Sequence, residues 1–372
     1  MIQRDRLIQT FLELVQLDSE SKSERPVADY TAAKLRALGY EVKEDHANAQ
    51  TGGNAGNIIA CKPGNAERKT VMFCSHLDTV PPGCGVKPIV DGDIIRTDGT
   101  TVLGGDDKAG IAAILEAATA IEENHIAHGP IQVVFTISEE IGLLGAKYID
   151  LEGFPKTDAA FLFDSEGMPG EICIASPYHI DVTATFHGKA AHAGLEPEKG
   201  INAIVMASKA VAAMTLGRLD EESCANIGII EGGRATNIVT PEATIFGEAR
   251  SLKKERVDEI IADMVRCCNE AAAELGGTVD VKVEESYSAV DLSPDDATVQ
   301  LGCRAARRIG LEPKLVKSGG GTDANVFCGK GIPAANVGVG MCKIHSVEEY
   351  LEIPAMKAAA DFILAVVEEA KA

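Results

Sequence analysis

Two histidines and a set of acids stand out by where they fall along the chain. His76 and Asp78 follow an apolar run at 71–74, Asp106 and Asp107 precede a helical pattern, and Glu139 and Glu140 follow a run at 131–137. Asp164 follows Phe161-Leu-Phe, and His345 lies just beyond 334–339. Each group is placed in a loop beside the carboxyl end of an expected strand or the start of an expected helix, where α/β sheets hold their ligands. Two imidazoles with several carboxylates suit zinc, and less selectively cobalt or manganese. Taken singly, each has an ordinary reading: a His-x-Asp is commonly a polar pair, Glu-Glu solvates a turn, and Asp164 is placed to cap a helix. Five such coincidences at strand ends are hard to assign to chance.

The elements that must position these residues follow from periodicity. Positions 5–17 and 27–38 carry apolar residues at helical spacing, the second ending at Gly39. Strands are expected at 40–44, 57–61, 71–74, 131–137 and 159–163, and helices at 109–121 and 143–149. Apolar strands separated by helices predict an α/β domain with a mostly parallel sheet covered on both faces. From about 179 the order becomes strand 179–187, helix 201–216, strands 225–230 and 243–251, helix 255–275 and strand 278–284. That βαββαβ order predicts a ferredoxin-like α+β domain. The α/β rhythm then resumes with helix 296–309, strand 314–316, a glycine loop at 319–321, strand 334–339 and helix 354–370. The expected organisation is therefore a main domain of 1–178 and 294–372 with an inserted domain of 179–293.

Composition narrows the function classes. With 372 residues, 45% of them hydrophobic and 24% charged, the chain can build two packed cores. A formal charge of −21 disfavours nucleic acid and anionic lipid as partners, and 4% aromatic residues with no Trp leave little for base stacking. The ten cysteines lack Cys-x-x-Cys spacing and lie in apolar segments, which predicts reduced thiols in a reducing compartment. No stretch approaches 18 apolar residues and the start is charged, so a soluble, cytoplasmic protein is expected.

The segments Ser75-His-Leu-Asp-Thr-Val, Gly104-Gly-Asp-Asp-Lys-Ala-Gly, Ser138-Glu-Glu-Ile-Gly and Phe163-Asp-Ser-Glu-Gly, with the late His345, resemble the zinc exopeptidase and deacylase family. That family includes peptidase T, carboxypeptidases and acetylornithine deacetylase. The likeness runs over essentially the whole chain and is nearest to the peptidase T branch. It implies two zinc ions per chain, with His76 and His345 as terminal ligands of different ions, Asp106 as the bridge, and Glu140 and Asp164 completing the two sets. The bridge is Asp106 because the family keeps Asp-x-Lys-Gly or Asp-x-Lys-Ala there. Glu139 matches the general base, a distinction from Glu140 that the residues alone leave open. The resemblance further implies that His192, in the loop after His187-Gly-Lys-Ala-Ala, reaches the active site of a partner subunit in a homodimer. Asn237 and Arg250 would contact substrate, and Gly320, in Ser318-Gly-Gly-Gly-Thr-Asp, would let substrate backbone approach. The inserted domain would then serve as a dimerisation or lid domain.

The chemistry is coherent. His76 and Asp78 share a side if the segment stays extended, so the Asp78 carboxylate could orient and strengthen the imidazole. Two zinc ions, roughly +4, meet about −3 from Asp106, Glu140 and Asp164, and a bridging hydroxide brings the cluster near neutrality. Glu139 would pass the proton of the water to the leaving amine. The expected activity is hydrolysis of short peptides, in the manner of a tripeptide aminopeptidase. An N-acyl-amino-acid deacylase or carboxypeptidase using the same centre is the enzymatic alternative, and a catalytically silent metal- or peptide-binding protein the non-enzymatic one.

Overall fold

A computed structural model describes residues 1–371. They form two compact units, one of Met1–Ile174, Leu292–Lys317 and the described residues from Thr322 onward, the other of Ala175–Asp291 and Ser318–Gly321. The borders differ by a few residues from the 178/179 and 293/294 expected. The short segment 318–321 also groups with the second unit, where a Cβ on Gly321 would lie 2.2 Å from the Tyr287 ring, so only glycine permits that approach.

In the first unit the strands lie in the order Glu41–Glu44, Ile58–Lys62, Ile131–Thr136, Val71–His76, Ala159–Leu162, Ala334–Val337 and Glu171–Ser176. Val71–His76 is at the centre and pairs in parallel on both sides, Val71 opposite Ile131 and Ala159. Ala334–Val337 continues the parallel set, while Ile58–Lys62 and Glu171–Ser176 flank it antiparallel. Every residue of Val71–His76 and Ile131–Thr136 is buried, which is why these strands read as continuous apolar runs. The helix Gly105–Glu123 is buried on nearly all sides and packs against Arg4–Val15, Ile353–Glu369 and the central strand. Its run of alanines combines high helix propensity with the small cross-section such a position requires.

This unit departs from expectation in several places: the strand Glu171–Ser176 and the helix Asp323–Gly329 are additional to the expected elements, and two further differences bear on the site. The helix predicted over 143–149 is reduced to Leu144–Lys147, because Gly142 (φ +110°) and Leu143 (φ 58°) take left-handed conformations that a helix cannot include. A small four-stranded antiparallel sheet also appears, in the order Met341–Cys342, Tyr350–Glu352, Ile94–Arg96, Ile89–Asp91. Its strands of two or three residues are too short to give a periodic signal. His345 lies in the loop between the first two, so this sheet determines where it stands.

The second unit is a five-stranded antiparallel sheet in the order Gly217–Asp220, Ser223–Gly232, Glu242–Ser251, Tyr178–His187, Thr278–Tyr287. Without the short first strand it has the ferredoxin-like order. Ile180, Val182, Ala184 and Phe186 are buried in the unit's core, which includes the helices Ala203–Ala213 and Lys254–Glu274. The intervening His179, Asp181, Thr183, Thr185 and His187 therefore occupy the opposite face. Asn202 caps the first helix, its side chain accepting from the Ile204 and Val205 N–H groups. Among the described residues no helix is long and apolar enough to cross a membrane.

Candidate active site

His76 is the last residue of the central strand and is buried. Its Nδ1 lies 3.0 Å from the Asp78 carbonyl oxygen and 3.5 Å from the Asp78 carboxylate. The nearer partner, which fixes the ring, is thus main chain, where the sequence pointed to the carboxylate. The Asp78 carboxylate instead accepts the Ser21 hydroxyl (2.6 Å) and the N–H groups of Glu139 (3.0 Å) and Glu140 (3.3 Å). Burial works against its ionisation, but the nearby His76 imidazole and the bonds from Ser21 and Glu139 prevail and hold its pKa below the ordinary value.

The Glu139–Glu140 turn leaves the strand Ile131–Thr136 through Ser138, whose φ of 52° is unusual for a residue with a side chain. Buried Glu24 stabilises that conformation, accepting the Ser138 N–H and hydroxyl through one oxygen, each at 3.0 Å. With Asp78 on its other side, the turn is held by two buried carboxylates.

Asp106 sits at the start of Gly105–Glu123 with non-helical torsions (φ −79°, ψ 102°). Its Oδ1 is 3.0 Å from His76 Nε2 and its Oδ2 is 3.2 Å from His345 Nε2. One carboxylate thus faces both imidazoles, one oxygen to each. Glu140 Oε2 is 2.9 Å from the same His345 nitrogen, and His76, Asp106 and Glu140 offer donor atoms all within 4.8 Å of one another. Asp107 faces elsewhere: the Ser75 hydroxyl bonds its carbonyl (2.8 Å) and carboxylate (2.5 Å). Half-buried Asp164 follows Ala159–Leu162 and is braced through its main chain by Asn336, which accepts its N–H at 3.0 Å and donates to its carbonyl. Asp164 acts on Asp106 and His76 through charge. His345 is half-exposed with φ 61°.

The electrostatics test whether a metal fits. Burial first, then neighbouring acids, push Glu139 and Asp164 well above the usual carboxylate range, and burial also raises Glu140. Burial disfavours a charged His76, yet Asp106, Asp78 and Glu139 outweigh it and raise its pKa; bonds to Asp106 and Glu140 raise that of His345 to about 10. Protons on the two imidazoles are the counter-charge that lies in direct contact with Asp106 and Glu140. Divalent cations would replace those protons on nitrogen and compensate the carboxylates, and the mixed nitrogen and oxygen donors are those zinc, cobalt and manganese accept. The residues therefore fit a metal centre.

The remaining expected site residues lie in the second unit. His192 pairs opposite Ile238 in a two-residue strand, its exposed ring accepting the Gly194 N–H at 3.2 Å. Exposed Asn237 accepts the Ala193 N–H on its carbonyl at 2.9 Å, so these two are neighbours. Arg250, on Glu242–Ser251, bonds both oxygens of Glu248 (3.1 and 3.0 Å) and lies 3.4 Å from the Tyr287 hydroxyl. Gly320 is exposed in a turn closed by the Ser318 hydroxyl. His179 is more than the isolated strand residue its sequence position suggests: its Nε2 lies 2.9 Å from Glu248 and 3.1 Å from Asp181, and its ring stands edge-on to Tyr287.

Sequence reasoning missed several buried acids beside the centre: Glu24, Asp323, which accepts the Thr136 hydroxyl at 2.5 Å, and Glu349. Single acids in polar stretches leave no periodic trace. The one available signal was adjacency, Glu349 being four residues after His345.

Comparison with known proteins adds a second line of evidence. The model of peptidase family M20/M25/M40 matches residues 72–369. Uncharacterized protein YqjE of Bacillus subtilis (strain 168) is 45% identical over 370 residues, 100% of each chain. The solved structure of aminopeptidase PepT from Bacillus cereus ATCC 10987 is 44% identical with a TM-score of 0.90, covering 99% of both chains. That of a tripeptidase from Staphylococcus aureus subsp. aureus mu50 is 40% identical with a TM-score of 0.93, covering 99% of this chain and 98% of that one. Full-length similarity of this degree, together with a family match spanning most of the sequence, leads to one assignment: the chain belongs to peptidase family M20/M25/M40 as a peptidase T-like member.

Proposed function

We propose that the protein is a two-metal aminopeptidase that removes the N-terminal residue of short peptides, tripeptides above all. The observation that carries this reading is the single Asp106 carboxylate facing His76 and His345 at 3.0 and 3.2 Å, beside Glu139, in a peptidase T-like chain. His76 and Asp164 would hold one ion, His345 and Glu140 the other, and Asp106 both. Two bound zinc ions would supply Lewis acidity toward the scissile carbonyl and acidify a water molecule.

The chain's own groups do the rest. The Glu139 carboxylate takes a proton from water and delivers it to the leaving amine; its dry surroundings, which raise its pKa, suit a group that must hold a proton between those steps. Asp78 keeps Glu139 and Glu140 in their separate directions by accepting both N–H groups. Arg250 offers a planar fork to the carboxylate of a short peptide, with His192, Asn237 and Gly320 lining the same substrate. The working form is a homodimer in which His192 serves the partner's site. The exposed Ile229 and Ile230 on Ser223–Gly232, with Ile204 and Val205 on the neighbouring helix, support a pairing surface on this unit. A cytoplasmic location accords with ten free thiols.

The test is a substrate panel of tripeptides, dipeptides and acyl-amino acids, assayed with the purified protein loaded with zinc, cobalt or manganese. Release of the N-terminal residue from tripeptides is expected. Cleavage of acyl-amino acids with tripeptides left intact would replace this reading by a deacylase.

A further inference from the structure

Glu349 is only 2% exposed and faces the turn that leads into Asp106. Its Oε2 accepts the N–H groups of Leu103 (2.7 Å) and Gly104 (2.9 Å), and its Oε1 accepts that of Asp106 itself (3.1 Å). Its own N–H donates to the Ser346 carbonyl at 3.0 Å, closing the turn that follows His345. One buried side chain thus binds the backbone of the residue facing both imidazoles, while its main chain closes the loop bearing one of them. The fit is close: Gly104 needs its left-handed φ of 69°, and a Cβ on Gly105 would come within 3.0 Å of Glu349 Oε1. Lys108, fully buried, provides a neighbouring positive charge.

Hydrogen bonds from N–H groups to an ionised carboxylate are short and directional, and a buried N–H that loses its acceptor has no water to turn to. The position of Asp106 therefore depends on the charge and shape of Glu349. We infer that Glu349 is a positioning residue of the metal centre, holding the 103–106 turn against the His345 turn so that Asp106 presents one oxygen to each histidine. This rests on the two-metal reading given above. Glu349 itself faces backbone N–H groups and acts through Asp106.

The test uses the full-length protein, stripped of metal and titrated with zinc against a competing chromophoric chelator, with kcat and KM measured on a tripeptide. Glu349→Gln preserves size but turns one acceptor oxygen into a donor that opposes N–H groups. Groups that orient ligands in this way typically contribute about 10- to 100-fold, so zinc affinity and kcat should both fall by about that factor, with KM little changed. Gly105→Ala keeps the buried charge and only displaces the carboxylate, so a smaller loss in the same direction is expected. Wild-type zinc affinity in Glu349→Gln overturns the inference, even if the thermal stability of the metal-free protein falls, since the role would then be structural alone. If circular dichroism shows Glu349→Gln unfolded, Gly105→Ala decides: weaker zinc binding supports the role and unchanged binding overturns it. Asp106→Ala separates the two levels. Wild-type protein that binds no zinc, or Asp106→Ala that binds it as well as wild type, defeats the two-metal reading; normal behaviour of those two with an unaffected Glu349→Gln defeats only the positioning role.

Discussion

At the scale of single residues the adjacent acids Glu139 and Glu140 have different surroundings, on which the proposed division of roles rests. Glu140 points an oxygen to within 2.9 Å of His345 Nε2, whereas Glu139 is buried and its pKa is pushed above the usual carboxylate range. Glu139→Ala is therefore expected to keep its metal while kcat drops by about 100- to 10,000-fold, the usual contribution of a placed acid-base group. Glu140→Ala should lose one ion of two, as read by elemental analysis after zinc reconstitution and dialysis. Zinc lost from the first variant and retained by the second would reverse the roles. Asp106→Ala should lose both ions together, because each of its oxygens faces a different histidine. One ion remaining tightly bound would show that the carboxylate serves a single site.

At the scale of elements, each strand end brings a different donor to one edge of the sheet, and small buried devices set the final directions. The second unit shows the same principle on the open face of its sheet, where Glu248 lies beside His179 and bonds Arg250. The bond with His179, opposed by burial and aided by Arg250, lowers the Glu248 pKa from 4.5 to about 2. A carboxyl group with a depressed folded-state pKa stabilises the fold above its unfolded value and loses that contribution as pH falls through the folded value. Glu248→Gln should thus cost about 1–2 kcal/mol near neutral pH, discounted for partial exposure from the range for hydrogen bonds to charged groups. The gap from wild type, measured by urea unfolding, should close as pH falls from 4.5 towards about 2. A gap that does not change over that window would remove Glu248 ionisation as its cause. If Arg250 binds substrate, the same variant should raise KM more than it lowers kcat, since the guanidinium loses its bidentate support.

At the scale of the molecule, the question is whether one chain suffices. The dimer proposal gives a sharp outcome: His192→Ala and Glu139→Ala, each inactive, should regain activity when their subunits are mixed and allowed to exchange. A mixed dimer would combine the intact Glu139 of one chain with the intact His192 of the other, restoring one site of two. Exchange confirmed by an independent label, with no activity returning, would mean that His192 acts within its own chain or not at all. Two-fold pairing through one surface patch is the commonest symmetry of soluble oligomers.

The sequence by itself determined the elements and the order of the chemical groups. Runs such as 71–74 and 131–137 read as buried strands and the segment 179–187 as a strand, because side-chain periodicity is a local property of the chain. That His76, Asp106, Glu139, Glu140, Asp164 and His345 stand at strand ends or helix starts followed directly. Tertiary structure decided which way they face. Asp106 and Asp107 are adjacent and identical in chemistry, yet one meets two imidazoles and the other a serine hydroxyl. The Asp78 carboxylate turned out to brace a turn 61 residues away, and Glu349 one 243 residues away. The sheet that sets His345 is built from strands of two or three residues whose pairing spans the length of the unit. Buried polar groups satisfy one another across distant segments, so their partners depend on register and packing and leave no period in the sequence.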